Sequence, residues 1–474
     1  MVADMTTESP TLVPAELASL GLSEASLRVV RELGFAQLTP IQAQSLPVLL
    51  RGGDLVGQSA TGSGKTVAFG LPLLDRLDIA GRTLQALVLC PTRELANQVA
   101  TTLRTLGRHR PGLRVLVLAG GMPSGPQRKA LEEGVHVVVG TPGRVQHHLD
   151  RGLDVDGVRI AVLDEADRML DMGFQEDVER ILRALPKERQ TLFFSATFPP
   201  SIATMSRNWQ KAPTHVTIAE AAGEKPAIRQ IVHVITAEER PAAIESILRI
   251  HAPASGLVFC NFKESVREVA ALLANAGFAA DALHGDLEQR DRDRVMAKFR
   301  NGTTRFLVAT DVAARGLDIE GLAAVINYEF PVKPDIYVHR IGRTGRAGAP
   351  GLAISLVTSR DADRLKACES AANGAIERLP MPTRSSPKAA EPAATAVAMD
   401  TLFISGGRKD KLRASDILGA LTGEAGLKAA DIGRIEIHDR FAYVALAQRV
   451  LTKLLAGLPG LRIKGRTFRI ERVQ

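Results

Sequence analysis

Two stretches of this chain carry side chains suited to cleaving a nucleoside triphosphate. They are Ser59-Ala60-Thr61-Gly62-Ser63-Gly64-Lys65-Thr66 and, well downstream, Asp164-Glu165-Ala166-Asp167. Glycines at 62 and 64 leave room for the backbone to wrap phosphates, with Thr61 and Ser63 between and beside them. Lys65 supplies a cation for the outer phosphates, and the Thr66 hydroxyl can ligate Mg²⁺. Asp164 follows the apolar run 160–163, so it stands at a strand end, where it can hold the same ion through water. Glu165 is placed to orient or deprotonate the attacking water. The strict phosphate-loop pattern asks for Gly where this chain has Ser59; Ser is small, and the rest is intact between strand-like residues 54–57 and a helical run over 66–77.

These stretches need a scaffold that brings them together. Apolar runs at 85–90, 113–118, 135–139, 160–163 and 191–194 read as buried strands, with amphipathic segments between several of them. That alternation predicts a parallel sheet covered by helices. The rhythm lapses over 219–226, and a second alternating series follows from 231 to 357, with strands predicted at 256–260, 305–309, 323–326 and 351–356. A Pro/Ser/Ala-rich stretch from 379 reads as a flexible linker. The terminal piece has the order β-α-β-β-α-β: strands over 400–405, 434–437, 440–445 and 461–470, helices over 414–421 and 448–456. This is the layout of RNA-recognition modules, a sheet backed by two helices. The divisions are therefore 1–218, 219–378, 379–397 and 398–474.

Composition narrows the class. The chain has 474 residues, 45% of them hydrophobic, without a long uncharged apolar stretch, which describes a soluble protein and not a membrane one. No basic segment followed by an apolar core opens the chain, and Cys90, Cys260 and Cys368 are too far apart for a disulfide framework or zinc site. A cytoplasmic location is expected. Of the net charge of +8, +7 lies in residues 401–474. Such asymmetry points to a polyanion-binding appendage on a nearly neutral body.

With these residues in view, the chain resembles the DEAD-box RNA helicases over nearly its full length. Beyond the stretches already quoted it has Pro91-Thr92-Arg93-Glu94-Leu95, Gly120-Gly121, Thr141-Pro142-Gly143-Arg144 and Ser195-Ala196-Thr197. The second series adds Asn261-Phe262-Lys263, Thr310-Asp311-Val312-Ala313-Ala314-Arg315-Gly316-Leu317-Asp318 and His339-Arg340-Ile341-Gly342-Arg343-Thr344-Gly345-Arg346. The resemblance implies an α/β fold of two tandem RecA-like parallel-sheet lobes plus a small RRM-like α+β domain. It implies ATP and Mg²⁺ as cofactors. Arg343 and Arg346 would be arginine fingers to the γ-phosphate, where a planar guanidinium suits the charge spread over those oxygens. Asp318 resembles the family's second-lobe nucleotide contact. Ser195 and Thr197 resemble the element linking hydrolysis to RNA binding. Arg93, Gly121, Thr141, Arg144, Lys263, Thr310 and His339 match RNA-binding or coupling positions, most of them holding the sugar-phosphate backbone, which carries little sequence information.

Gly34-Phe35-Ala36-Gln37-Leu38-Thr39-Pro40-Ile41-Gln42 resembles the family's adenine-recognising segment, and Gln42 has the donor and acceptor an adenine edge requires. Leu17 stands where the family usually has an aromatic, seventeen positions before Gly34. It either covers the purine or packs in a core.

Through Gly406-Gly407-Arg408-Lys409-Asp410-Lys411-Leu412-Arg413, Asp416-Ile417-Leu418-Gly419-Ala420-Leu421-Thr422-Gly423 and Asp431-Ile432-Gly433-Arg434-Ile435, the tail resembles the RNA-binding extension of the bacterial DbpA-type helicases. That subgroup acts on a hairpin of 23S ribosomal RNA in assembling pre-50S particles, so structured RNA is the expected partner of a monomeric enzyme. Arg408, Lys409, Lys411 and Arg413, with Lys464, Arg466 and Arg469, form the expected contact surface, and Tyr443 is a candidate stacking residue. The other tail aromatics are Phe403, Phe441 and Phe468, fewer than the ribonucleoprotein consensus for base stacking across the sheet asks for. The reading is an ATP-dependent RNA helicase. An ATP-gated RNA clamp that displaces proteins shares every motif, and a DNA helicase fits the Asp164–Asp167 and Ser195–Thr197 stretches less well.

Overall fold

The apolar runs form strands because parallel strands bury both faces and need no polar alternation. In the computed structural model the first lobe holds β1 (Leu55–Gln58), β2 (Ala86–Leu89), β3 (Val115–Leu118), β4 (Val137–Gly140), β5 (Ile160–Asp164), β6 (Gln190–Ser195) and β7 (Thr214–Thr217). They make one seven-stranded parallel sheet in the order β3-β4-β2-β5-β6-β1-β7. The structure describes residues 17, 19–60, 62–218, 228–314, 321–345, 350–371, 376–381, 399–454 and 461–473.

The second lobe repeats the plan with β8 (Ile228–Val234), β9 (Gly256–Cys260), β10 (Ala280–Leu283), β11 (Phe306–Thr310), β12 (Ala324–Asn327), β13 (Gly351–Val357) and β14 (Ile376–Arg378). Its order is β10-β11-β9-β12-β13-β8-β14, again parallel. In a parallel sheet every strand's carboxyl end lies on one edge, and ligands bind outside that edge. Six of the quoted first-lobe segments sit at strand ends: Ser59 follows β1, Arg93 follows β2, Gly121 β3 and Thr141 β4, while Asp164 and Ser195 close β5 and β6. One edge of one sheet thus collects segments scattered over more than a hundred residues.

The tail forms β15 (Met399–Ile404), β16 (Ile432–Ile437), β17 (Ala442–Ala447), β18 (Arg462–Ile463), β19 (Arg466–Thr467) and β20 (Ile470–Arg472). An antiparallel sheet β16-β17-β15-β20 packs with helix Ala414–Gly423. The single closing strand expected over 461–470 is instead a hairpin, β18-β19, followed by β20. Lys464 and Gly465 both take left-handed φ, 56° and 72°, which turns the chain in two residues.

The chain divides near residue 225 into two compact units, and the tail falls within the second. Its sheet packs on helix Gln289–Arg300 of the second lobe. Ala297 there shares a buried cluster with Tyr443 and Val473, with Phe403 and Phe441 packed beside it. Asn301 donates to the Thr401 hydroxyl at 3.1 Å, Thr303 and Thr401 share a hydrogen bond of 2.7 Å, and Arg300 pairs with Glu436 at 3.4 Å. The expected linker begins anchored, since the Leu379 amide donates to Val232 O at 3.0 Å; residues 382–398 lie outside the described residues.

Candidate nucleotide and RNA site

Ser59 occupies the position where a glycine was expected, and its hydroxyl hydrogen-bonds that of Ser63 at 2.8 Å, closing the phosphate loop on itself. Gly64 has φ 91°, and a Cβ there would come within 2.4 Å of Gln42 Nε2, so only glycine fits. Lys65 opens helix Lys65–Asp75 and is buried. Its ammonium donates to Ser59 O at 2.7 Å and Ala60 O at 2.9 Å, and burial lowers its pKa. Thr66 follows on the same first turn, partly exposed. Thr61 lies outside the described residues.

Gln42 is the third residue of helix Pro40–Leu50. Its Oε1 accepts from the Thr39 amide at 3.0 Å and its Nε2 donates to Gly64 O at 3.2 Å. The side chain expected to read adenine therefore ties the preceding helix to the phosphate loop. Leu17 is 0% exposed and belongs to the first lobe's core. This corrects its reading as a purine cover: no part of it is open to a base.

Asp164 ends β5 at 3% exposure, and burial together with the Glu165 carboxylate raises its pKa to about 7. Its Oδ1 is buried with no hydrogen-bond partner. An orphaned carboxylate oxygen with its charge unfavourably buried fits a cation. Glu165 has left-handed backbone, φ 54° and ψ 52°, and its Oε2 accepts from Arg168 at 2.8 Å. Asp167 accepts from the Thr197 amide and hydroxyl, and its own amide donates to Ser195 Oγ at 3.2 Å. Ser195 O in turn accepts from the Ser59 amide at 3.1 Å, so the ends of β5 and β6 and the phosphate loop form one bonded unit.

On the same edge, Arg144 donates to Ala119 O at 3.2 Å and Met122 O at 2.6 Å. It braces the Gly120-Gly121 turn, where Gly121 has φ 72°. Arg93 keeps one buried guanidinium nitrogen, Nη1, without a partner, and Thr141 is partly exposed. In the second lobe Lys263 pairs with Asp286 at 3.1 Å, and the Thr310 hydroxyl accepts from the Ala313 amide at 3.3 Å. Arg343 is buried and His339 partly so, while Asp318 and Arg346 lie outside the described residues.

Two arginines stand out to which the sequence motifs give no role. Arg340 is fully buried, with two bonds of 2.7 Å to Asp311, others to Asn261, Asn327 and Glu329 O, and its guanidinium 4.9 Å from the centre of the Phe259 ring. It ties together the ends of β9, β11 and β12. Arg168 lies three residues past Glu165 across a first helical turn, a spacing at which side chains meet.

In the tail, Arg408, Lys409, Lys411, Arg413, Arg462, Lys464, Arg466 and Arg469 are all exposed. The two expected clusters meet, because Lys464 Nζ donates to Lys411 O at 3.0 Å and pairs with Asp416 at 2.9 Å. Arg469 is paired with Glu471 at 2.5 Å, so its charge is partly neutralised. Tyr443 corrects the sequence reading: it is 2% exposed against the second lobe, with its hydroxyl pushed up to about 12 by burial, and offers no stacking face.

A phosphate loop, an acidic strand end and a second repeated lobe define a nucleotide-driven motor. Residues 39–205 match the DEAD/DEAH box helicase family, 239–348 the helicase conserved C-terminal domain, and 401–472 the DbpA RNA binding domain. The chain belongs to the DEAD-box ATP-dependent RNA helicases, in their DbpA type. It is 45% identical to the ATP-dependent RNA helicase DbpA of Escherichia coli, covering 95% of this chain and 97% of that one. The Bacillus subtilis DbpA is 36% identical over 95% and 98%. Among solved structures, Saccharomyces cerevisiae Dbp5 bound to RNA and ADP BeF3 is 30% identical, with a TM-score of 0.69 over 77% of this chain and 95% of that one. No described helix is long and apolar enough to cross a membrane.

Proposed function

We propose that this helicase remodels large-subunit ribosomal RNA during ribosome assembly, as a cytoplasmic monomer that its tail directs to a structured site in 23S RNA or pre-50S particles. The observation that carries the proposal is the continuous exposed basic surface of the tail, built from the Arg408–Arg413 turn and the Lys464 hairpin. Long-range attraction to phosphates supplies affinity there, and the shape of a folded RNA supplies the choice of site.

In the first lobe, Lys65 counters the outer phosphates once ATP displaces its loop carbonyls, and Gln42 and the loop amides fix the nucleotide. Thr66 and the orphaned Asp164 oxygen would hold Mg²⁺, which would neutralise charge on the phosphate oxygens. Glu165 takes a proton from the attacking water. Arg343, Arg346 and Asp318 are assigned to the nucleotide by resemblance alone. Arg93, Gly121, Thr141, Lys263 and Thr310 hold RNA backbone, with Arg144 shaping the turn that carries Gly121 and His339 coupling the RNA and nucleotide ends. The test is crosslinking of the full chain to total cellular RNA with sequencing of protected fragments. Fragments converging on one structured segment of 23S RNA support the proposal; fragments spread over messenger RNA overturn it.

A further inference from the structure

Three carboxylates crowd the end of β5: Asp164, Glu165 and Asp167. Asp167 is occupied by Thr197 and by the Arg168 amide at 3.0 Å. Glu165 is met by a guanidinium: Arg168 Nη1 lies 2.8 Å from Oε2, with the side chains only 7% and 9% exposed. Glu165 also stands in left-handed backbone, a conformation that a residue with a Cβ adopts only where its surroundings hold it. A buried ion pair at such a site does little for stability compared with apolar packing, but it fixes direction.

We propose that Arg168 is a positioning residue for hydrolysis. The pair holds Glu165 Oε2 and thereby leaves Oε1 aimed as the oxygen that takes the water's proton. Without Arg168 the carboxylate can turn within the pocket, while the Lys65 loop assigned to the phosphates and the Asp164 oxygen assigned to Mg²⁺ stay in place. This rests on the reading of Glu165 as the base. A misaimed base costs turnover and leaves ground-state binding alone, since it spoils the near-attack geometry while the groups that hold phosphate are untouched.

The test uses the full chain with saturating RNA, comparing R168M, R168K, E165Q and R168M/E165Q in RNA-stimulated ATPase and in ADP binding by titration. R168M should lower kcat roughly tenfold or more while KM for ATP and ADP affinity change by less than about twofold. R168K, which keeps a cation of shorter reach, should restore part of kcat. In the E165Q background R168M should cause no further loss, because there is no base left to aim. Wild-type kcat in R168M overturns the proposal, as does a loss confined to KM, or an equal proportional loss with and without Glu165. Should R168M melt below the assay temperature, R168Q carries the same comparison. E165Q turning over like wild type would remove the base reading itself, whereas a stalled E165Q beside an unaffected R168M would remove only the role of Arg168.

Discussion

One carboxylate oxygen of Asp167 accepts both from the Thr197 amide, at 2.9 Å, and from the Thr197 hydroxyl, at 2.7 Å. This contact joins the acidic strand end of β5 to the loop after β6, and through Ser195 to the phosphate loop. Replacing Thr197 with Val keeps shape and the amide bond but removes the hydroxyl donor. The missing bond costs about 1 kcal/mol locally. Strands separated per ATP hydrolysed should fall in T197V while ATP hydrolysis itself persists. A duplex-unwinding assay run alongside phosphate release checks this; parallel loss of both would mean that the contact serves the chemistry itself.

Lys65 is held by two carbonyls of its own loop in the structure, so its ammonium must exchange them for phosphate oxygens. K65A removes that countercharge and should raise KM for ATP and lower turnover together. Isothermal titration with ADP and steady-state ATPase measure the two effects. Unchanged ADP affinity would show that Lys65 acts only on the γ-phosphate.

Leu17 is a core residue, and its substitutions should read out as stability. L17A leaves a cavity and should cost about 2–5 kcal/mol. L17F forces extra volume into the core and should cost about 1–3 kcal/mol, where a purine-stacking role would instead tighten ATP. Denaturant melts and ATP titration of both variants separate the outcomes; tighter ATP in L17F with an unchanged melt would restore the adenine role.

Burial lowers the pKa of His438 from its ordinary 6.5, against the pull of Asp293 and Glu436 and with Arg408 and Arg300 nearby. The ring stacks on Phe441 at 4.5 Å, beside the contact between tail and second lobe. A histidine with a lowered folded pKa favours the neutral form. Its contribution is therefore complete above pH 6.5 and is lost as pH falls through the window below that value. The tail should loosen on acidification in that window, and H438F should flatten the dependence. Amide exchange of β17 from pH 7.5 to 5.5 is the measurement, and identical protection profiles for H438F and wild type would exclude His438 as the source.

The exposed cations of the tail should carry a salt-dependent share of RNA binding. Changing Arg408, Lys409, Lys411, Lys464 and Arg466 to Gln should weaken binding of structured RNA and flatten its salt slope by about 0.7–0.9 for each phosphate left without its cation. ATPase driven by high concentrations of generic RNA should remain, because the lobes are untouched. Arg469→Gln alone should matter less, since Glu471 already engages that guanidinium. Salt titrations by fluorescence anisotropy test the series, and an unchanged slope would move the RNA surface elsewhere.

Much of this was written in local chemistry. The glycines around Lys65, the acidic strand end and the apolar runs are short-range patterns, and parallel strands buried on both faces have few other ways to pack. The same is true of the excess charge in the last segment, which depends on composition alone. Partner choice is different, because it is made by chain segments far apart in sequence. Nothing near Leu17 says whether a purine or the first lobe's core covers it; the burial of its neighbours decides. Tyr443 alternates onto the sheet face where an RNA base could stack, yet helix Gln289–Arg300, some 150 residues earlier, occupies that face. Gln42 and Gly64, 22 residues apart, meet only because the helix and the phosphate loop pack together. The expected strand over 461–470 became a hairpin because Lys464 accepts a left-handed backbone and reaches Lys411, a contact across 53 residues. Local pattern names the chemistry a segment can do, and tertiary packing decides which side chains remain free to do it.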